Sequence, residues 1–522
     1  MATRGADNML QIRNLNITHR KDLRTIIEDF NMTLNDGDKA VIIGEEGNGK
    51  STLVKWIYDS DMIEDYTECS GKLIRGNERL AYLPQEMREE DKKKTVYEFF
   101  TESNSFYDKT PGELGVMAGK FNVPNDIFYS EQIMESLSGG EKVKVQLMKI
   151  LMDEPTILLL DEPSNDIDIE TLELLEKLIN NWKHAVLYIS HDETLIENTA
   201  NMIIHLEQII RKTKFRYTIV HDNYKGYIKN RADSFEKQEQ KALSDRREKE
   251  LRDEKLKRIY QSVDFYQENL QKRCSDSKGR LLKKKMHVVK SMAHRFERED
   301  EDMTEMPEQE EAIFFKLGDE NARMPQGKTV IEYTLSELKT PDGEKVLARD
   351  IFLRVRGPEK ICIIGNNGAG KTTLLRKIAD ELLSRKDIKA EYMPQNYEDM
   401  LDLDITPVEF LDSTGDKEIR TRIRTYLGSL KYTADEMEHP IRELSGGQKA
   451  KVLLLKMSMS GANVLILDEP TRNFSPLSGP VIRKMIAAFP GAVISISHDR
   501  KYIEEVCEKV YKLKESGLKE NN

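Results

Sequence analysis

Two stretches of this 522-residue chain have the residues to hold phosphate. The first reads Gly44-Glu45-Glu46-Gly47-Asn48-Gly49-Lys50-Ser51, followed by Thr52; the second reads Gly365-Asn366-Asn367-Gly368-Ala369-Gly370-Lys371-Thr372, followed by Thr373. Glycines in such a loop let backbone N–H groups point inward at β- and γ-phosphates, with a helix N-terminus behind them. Lys50 and Lys371 add point positive charge, and Ser51 and Thr372 offer a hydroxyl to Mg2+. Downstream of each loop an apolar run ends in Asp-Glu-Pro, at Asp161-Glu162-Pro163 and Asp468-Glu469-Pro470. The aspartate is suited to hold a Mg2+ hydration shell and the glutamate after it to polarise an attacking water. Between loop and Asp-Glu lies Leu-Ser-Gly-Gly, at Leu137-Ser138-Gly139-Gly140 and Leu444-Ser445-Gly446-Gly447; after it comes Ser190-His191-Asp192 or Ser497-His498-Asp499. Asp161 follows Leu137 by 24 positions, as Asp468 follows Leu444; His191 follows Asp161 by 30, as His498 follows Asp468. Spacing repeated so closely means two copies of one domain.

The elements that must position these residues are legible too. Short β-branched and apolar runs at 39–43, 156–160 and 185–190 alternate with helical patterns such as 169–181, so each copy is expected to be α/β with a largely parallel sheet. Between the copies the text changes. From 231 to 298 it is nearly free of Pro and Gly and rich in helix formers. Leu256, Ile259, Tyr260, Val263 and Tyr266 form one apolar stripe, and Leu282, Met286, Val289, Met292 and Phe296 a second. Ser275-Asp276-Ser277-Lys278-Gly279 reads as a turn between them. This predicts an antiparallel helical hairpin whose first arm, about 40 residues, runs on the order of 60 Å. The expected divisions are 1–222, 223–312 and 313–522.

Composition sets bounds on the task. Hydrophobic residues make up 38% and charged residues 33%, and no run approaches the roughly 18–20 apolar residues of a membrane span. The N-terminus lacks a secretory pattern, and four scattered cysteines show no paired spacing. A cytoplasmic setting is expected. The net charge is −11, yet 272–298 is basic. There Lys272, Arg273, Lys278, Arg280, Lys283, Lys284, Lys285, Lys290, Arg295 and Arg298 face only Asp276 and Glu297. A charged helix face is commonly just a solvated one; concentrated at the turn of a long hairpin, it suits a polyanion.

The Leu-Ser-Gly-Gly elements, with the Asp-Glu and His spacing, resemble the ABC ATPase cassette. The resemblance implies ATP and Mg2+ as cofactors. It also implies that Ser138, Gly139 and Gly140, and likewise Ser445, Gly446 and Gly447, face a γ-phosphate bound to the opposite cassette. Two cassettes then close head to tail around two nucleotides, within a monomer. Tyr82-Leu83-Pro84-Gln85 and Tyr392-Met393-Pro394-Gln395 resemble the family's glutamine loop, in which Gln85 and Gln395 contact Mg2+ and the water. His191 and His498 resemble its γ-phosphate-sensing histidine. Three departures stand out. Glu45-Glu46 occupies positions usually neutral. No clear aromatic precedes either loop to stack on adenine, His19 being the nearest in the first copy. The text after the second Asp-Glu-Pro, Thr471-Arg472-Asn473, differs from Ser164-Asn165-Asp166 after the first, which makes the sites unequal.

Helices between two complete cassettes resemble the ABC-F family of ribosome-binding ATPases. Tyr224, Tyr227 and Arg231 match the start of that family's linker. The run 279–285 sits where its linker tip reaches P-site tRNA. The resemblance implies binding at the ribosomal E site, contact of Lys272, Arg273, Lys278, Arg280, Lys283, Lys284 and Lys285 with tRNA and rRNA, and release on hydrolysis. Similar lengths of the two cassettes, and so no large arm insertion in the first, favour the branch that protects ribosomes from antibiotics. A housekeeping translation factor, a transporter's ATPase subunit and a non-hydrolysing scaffold are the alternatives.

Overall fold

The computed structural model describes residues 9–209, 214–271, 276–301, 303, 304, 306, 316–318, 322–412 and 414–521. Residues 1–224 with 310–522 make one compact unit, and 225–309 a second.

Within the larger unit each set of motifs sits on its own six-stranded sheet. The first copy runs β1 (Met9–His19), β2 (Thr25–Asn35), β3 (Lys39–Ile43), β4 (Thr67–Ile74), β5 (Leu80–Leu83), β6 (Ile157–Asp161), β7 (Ala185–Ile189), β8 (Met202–Ile209) and β9 (Lys214–Val220). Across the sheet the order is β5-β6-β7-β3-β8-β9, parallel except for β8 against β9. The second copy runs β10 (Thr329–Lys339), β11 (Val346–Arg356), β12 (Lys360–Ile364), β13 (Ala390–Met393), β14 (Val464–Asp468), β15 (Ala492–Ile496), β16 (Lys509–Lys514) and β17 (Gly517–Glu520). Its sheet repeats the pattern as β13-β14-β15-β12-β16-β17, with only β17 antiparallel.

Strands β3, β6, β7, β14 and β15 are buried along their whole length. That is why they read as unbroken apolar runs: a parallel strand is covered on both faces and has no wet side to alternate with. The three strand runs expected in the first copy lie at β3, β6 and β7 with ends within one residue, and the helix expected at 169–181 is Ile169–Asn181. The α/β architecture follows the expectation. An additional layer, in which β1 pairs antiparallel with β2 and β4, was not foreseen. Register shifts in β1 and left-handed residues at Asn14 (φ 48°) and Asp29 (φ 44°) break its two-residue period.

The smaller unit contains almost all of an antiparallel helical pair, Tyr224–Gln271 with Asp276–Glu301. Arg252 pairs with Glu299 and reaches Asp300 at 3.3 Å, Lys249 meets Asp300 at 2.8 Å, and the Thr304 N–H donates to Asp245 at 2.9 Å. Val289 and Phe296 are buried, and Leu256, Ile259, Tyr260, Met286 and Met292 half-buried, in keeping with the two stripes; the side chains of Val263, Tyr266 and Leu282 lie outside those described. Two corrections apply. The first arm has 48 residues, so at 1.5 Å per residue it runs about 72 Å. The expected turn is also misplaced: Asp276, Ser277, Lys278 and Gly279 belong to the second helix, which starts at Asp276. One glycine in a helix costs only about 1 kcal/mol against alanine, and Leu281 to Met286 favour helix on its far side. Of the turn residues, Ser275 lies outside the described residues. Phe296→Ala, which removes a buried ring under the Arg252 guanidinium, should weaken the hairpin by about 3 kcal/mol. Limited proteolysis should then cut between 231 and 298 at least several-fold faster, with ATP turnover retained.

Candidate functional site

The carboxyl ends of the buried strands set both sites, since ligands of open α/β sheets bind in the crevice beyond those ends. Strand β3 runs into the first phosphate loop, β6 ends on Asp161, and β7 leads to His191. Only glycine can shape the loop. Gly44 has φ 144°, and a Cβ there would lie 2.3 Å from the Leu206 carbonyl oxygen; Gly49 has φ 85° and would meet Ile26 at 2.4 Å. Helices Lys50–Tyr58 and Lys371–Ser384 start on the loop lysines, which are buried. Lys50 Nζ donates to the Gly44 and Glu45 carbonyls (2.8 and 3.0 Å), and Lys371 Nζ to those of Gly365 and Asn366 (2.7 and 3.0 Å).

Around the first loop the expected residues converge. Ser51 Oγ donates to Asp161 Oδ1 at 2.9 Å, and the Tyr82 hydroxyl to Asp161 Oδ2 at 3.2 Å. Glu162 accepts from Gln85 Nε2 (3.0 Å) and Asn165 Nδ2 (2.6 Å) and meets His191 Nε2 at 3.1 Å. Burial pushes the Glu162 carboxyl up, but the charge and hydrogen bond of His191, with Lys50 and Asn165, outweigh it and hold it at about 2. The second copy differs. His498 Nε2 stands 3.7 Å from Glu469 Oε1, and Glu469 Oε2 accepts the His498 N–H at 3.2 Å. Burial and the adjacent Asp468 carry Glu469 up to about 8. Burial likewise raises Asp468 to about 6, against the pull of Thr372 and Lys371, and lowers His498 to about 4. Both glutamates sit at left-handed φ (49° and 52°), a strained conformation that recurs at functional sites.

The oxygen donors suit Mg2+, a hard cation that prefers hydroxyl, carboxylate and water. Ser51 is paired with Asp161, and Thr372 hydrogen-bonds Asp468. Asp468 Oδ2 is buried with no partner among the described residues, an acceptor that lacks a donor or a cation.

Each Leu-Ser-Gly-Gly begins a helix. Ser138 caps Gly139–Met152 in a box with Glu141, and Ser445 caps Gly446–Ser460 in a box with Gln448. The two halves meet head to tail. Ser138 and Gly139 line one cavity of about 700 Å³ with Lys371, Thr372, Glu469 and His498, a size within the usual range for small-ligand sites. Gly368, Gly370, Thr373 and Gln395 line it as well. Thr340 and Leu347, not an aromatic ring, flank the loop there. His19 is occupied by Asp22 at 2.8 Å. At the opposite junction Ser445 and Gly447 meet Glu45 and Glu46 across only about 20 Å³.

Sequence reasoning missed the residues that join the halves. Asp166 accepts from Arg472 (2.8 Å) and Gln395 (3.2 Å), and its carbonyl accepts from Asn367 (2.6 Å). The divergent text after the two Asp-Glu-Pro triplets was the only signal, and it could not name a partner. Beside it lies a buried bidentate pair, Arg483 to Glu193 at 2.7 and 3.2 Å, which Glu505 extends at 2.8 Å. Arg500 bridges to Asp192 (3.3 Å) and Lys501 to Glu197 (2.7 Å). Of the basic hairpin residues, Lys272 and Arg273 lie outside the described residues. Lys278, Arg280, Lys283 and Lys285 are placed on the second helix by backbone alone, and Lys284 is exposed.

Fold and site together define a twin-cassette ATPase in which the phosphate loop of each half faces the signature element of the other. The chain belongs to the ABC transporter family, whose model matches residues 27–165 and again 348–472, and is an ATP hydrolase. It is 28% identical to the ribosome protection protein VmlR of Bacillus subtilis (strain 168), over 96% of this chain and 86% of that one. It is 24% identical to ABC transporter F family member 5 of Arabidopsis thaliana, over 95% of this chain and 74% of that one. Among solved structures, the archaeal ribosome recycling factor aABCE1, in complex with stalk protein aP1, superposes with a TM-score of 0.58 at 16% identity. That match covers 97% of this chain and 89% of the other, and shows the shared fold.

Truncating one partner of a buried ion pair leaves the other uncompensated, at about 3–5 kcal/mol. Arg483→Ala should therefore lower the thermal midpoint of the cassette unit by several degrees, and Arg483→Lys, which loses the bidentate fork, by less.

Proposed function

We propose that this protein is a ribosome-bound ATPase whose nucleotide cycle positions the basic hairpin, and that it protects ribosomes from antibiotics. One observation carries the reading: a stretch with eight excess positive charges over 272–298 lies between two complete cassettes, and one cavity is lined by the signature element of the first and the phosphate loop of the second. Supporting it is the similarity, along nearly the whole chain, to a ribosome protection protein. Among the described residues no helix is long and apolar enough to cross a membrane.

In this proposal the loop amides with Lys50 and Lys371 hold the phosphates, and Ser445 and Ser138 with their following glycines approach each terminal phosphate from the facing cassette. Ser51 with Asp161, and Thr372 with Asp468, would hold Mg2+, which would supply charge neutralisation at the phosphates. Glu162 and Glu469 polarise water, while Gln85, Gln395, His191 and His498 orient it. ATP favours the closed state because only there do the Ser-Gly-Gly amides gain phosphate contacts. Closure would direct the hairpin toward the E-site side of P-site tRNA, where Lys272, Arg273, Lys278, Arg280 and Lys283 to Lys285 meet phosphates and 2′-hydroxyls by charge and shape. A cytoplasmic monomer fits this cycle.

Glu162→Gln with Glu469→Gln should cut turnover by about 10²–10⁴-fold and retain the protein on ribosomes with ATP through sedimentation. Failure to co-sediment would remove the ribosome reading. Expressed in a susceptible host, the wild-type protein should raise tolerance to a peptidyl-transferase or exit-tunnel drug. No shift across such a panel would leave the housekeeping role.

A further inference from the structure

The first phosphate loop carries two carboxylates where the second carries amides. Glu45 and Glu46 match Asn366 and Asn367 position for position. Their contacts differ in kind. Asn367 donates its amide to the Asp166 carbonyl across the junction at 2.6 Å. Glu46 instead accepts the backbone N–H of Gly447, at 2.8 Å through Oε2. Glu45 accepts from Lys451 Nζ on the same helix, Gly446–Ser460, at 3.3 Å.

Gly447 N–H is one of the amides with which the second signature element is expected to hold the terminal phosphate of a nucleotide on the first loop. A carboxylate at a helix N-terminus meets the same electrostatic preference as a phosphate there. The Glu46 group is thus an anion supplied by the chain itself, seated where the nucleotide's anion belongs. The cavities agree: about 20 Å³ at the Glu46 junction against about 700 Å³ at the other.

We infer that Glu46, steadied by Glu45, competes with the γ-phosphate of ATP for the second signature element and so sets unequal nucleotide affinity at the two sites. ATP entering on the first loop has to displace Glu46 from Gly447, whereas ATP on the second loop enters an open cavity. The competition concerns the terminal phosphate alone. ADP, too short to reach the signature amide, is exempt. This inference concerns the isolated ATPase and stands or falls without the ribosome.

The test uses the full chain and two fluorescent probes, an anthraniloyl derivative of β,γ-imido-ATP and the same derivative of ADP. Lys371→Ala confines binding to the first loop. In that background Glu46→Asn should strengthen binding of the imido-ATP probe by about tenfold (1.4 kcal/mol) and leave ADP unchanged. The reciprocal Asn367→Glu, in a Lys50→Ala background, should weaken the imido-ATP probe at the second loop. If Glu46→Asn does not fold, the isosteric Glu46→Gln takes its place. A gain under about threefold for the ATP probe would overturn the inference. So would an equal gain for ADP, which would mean simple charge repulsion in the loop.

Discussion

A helix N-terminus exposes amide groups that need an acceptor, and the cassette pair is organised around two of them. Ser138 and Ser445 cap helices Gly139–Met152 and Gly446–Ser460, and both helix starts point across a junction rather than into their own cassette. What faces them comes from the other half: Glu46, which accepts the Gly447 N–H, at one junction, and a cavity lined by Lys371 and Thr372 at the other. Head-to-tail contact of the halves brings one anion, Glu46, to that demand. The Arg483–Glu193 pair and the Asp166 contacts hold the halves in register while it is met.

Near-identical spacing in the two copies conceals unequal chemistry. Glu162 is held low by three side-chain contacts, while burial and the neighbouring Asp468 carry the Glu469 carboxyl up. The Asp-Glu-Pro and His letters are the same in both copies, but the residue four places past the aspartate is Asn165 in the first and Arg472 in the second. The difference comes from burial and the Asp468 charge at Glu469, set against the charge and hydrogen bond of His191, with Lys50 and Asn165, at Glu162; the histidine contact is 3.1 Å in the first copy and 3.7 Å in the second.

Much of this was legible in the sequence because the deciding physics is local. Parallel strands buried on both faces write themselves as apolar runs, and β3, β6 and β7 fell where those runs lay. Phosphate loops need glycine at left-handed φ, and Gly44 and Gly49 show why. What was not legible depends on distant partners or broken periods. The bulged strand β1 hides its alternation. Gly279 reads as a turn although its neighbours carry it into a helix. Asp166 and Arg472 find each other across 306 positions, and Glu46 finds Gly447 across 401. Glu45-Glu46 was visible as an anomaly of charge, but its meaning appeared only with the partner in place.

The central claim is that a terminal phosphate held by one cassette is read by the signature element of the other. Photocleavage by trapped orthovanadate tests it most directly, because the trapped anion cuts only the backbone beside it. With Mg2+, ATP and vanadate under ultraviolet light, the chain should break both in a phosphate loop and at the facing signature serine, Ser138 for the loop containing Lys371. Cleavage confined to the phosphate loops, with Ser138 and Ser445 intact, would contradict the account.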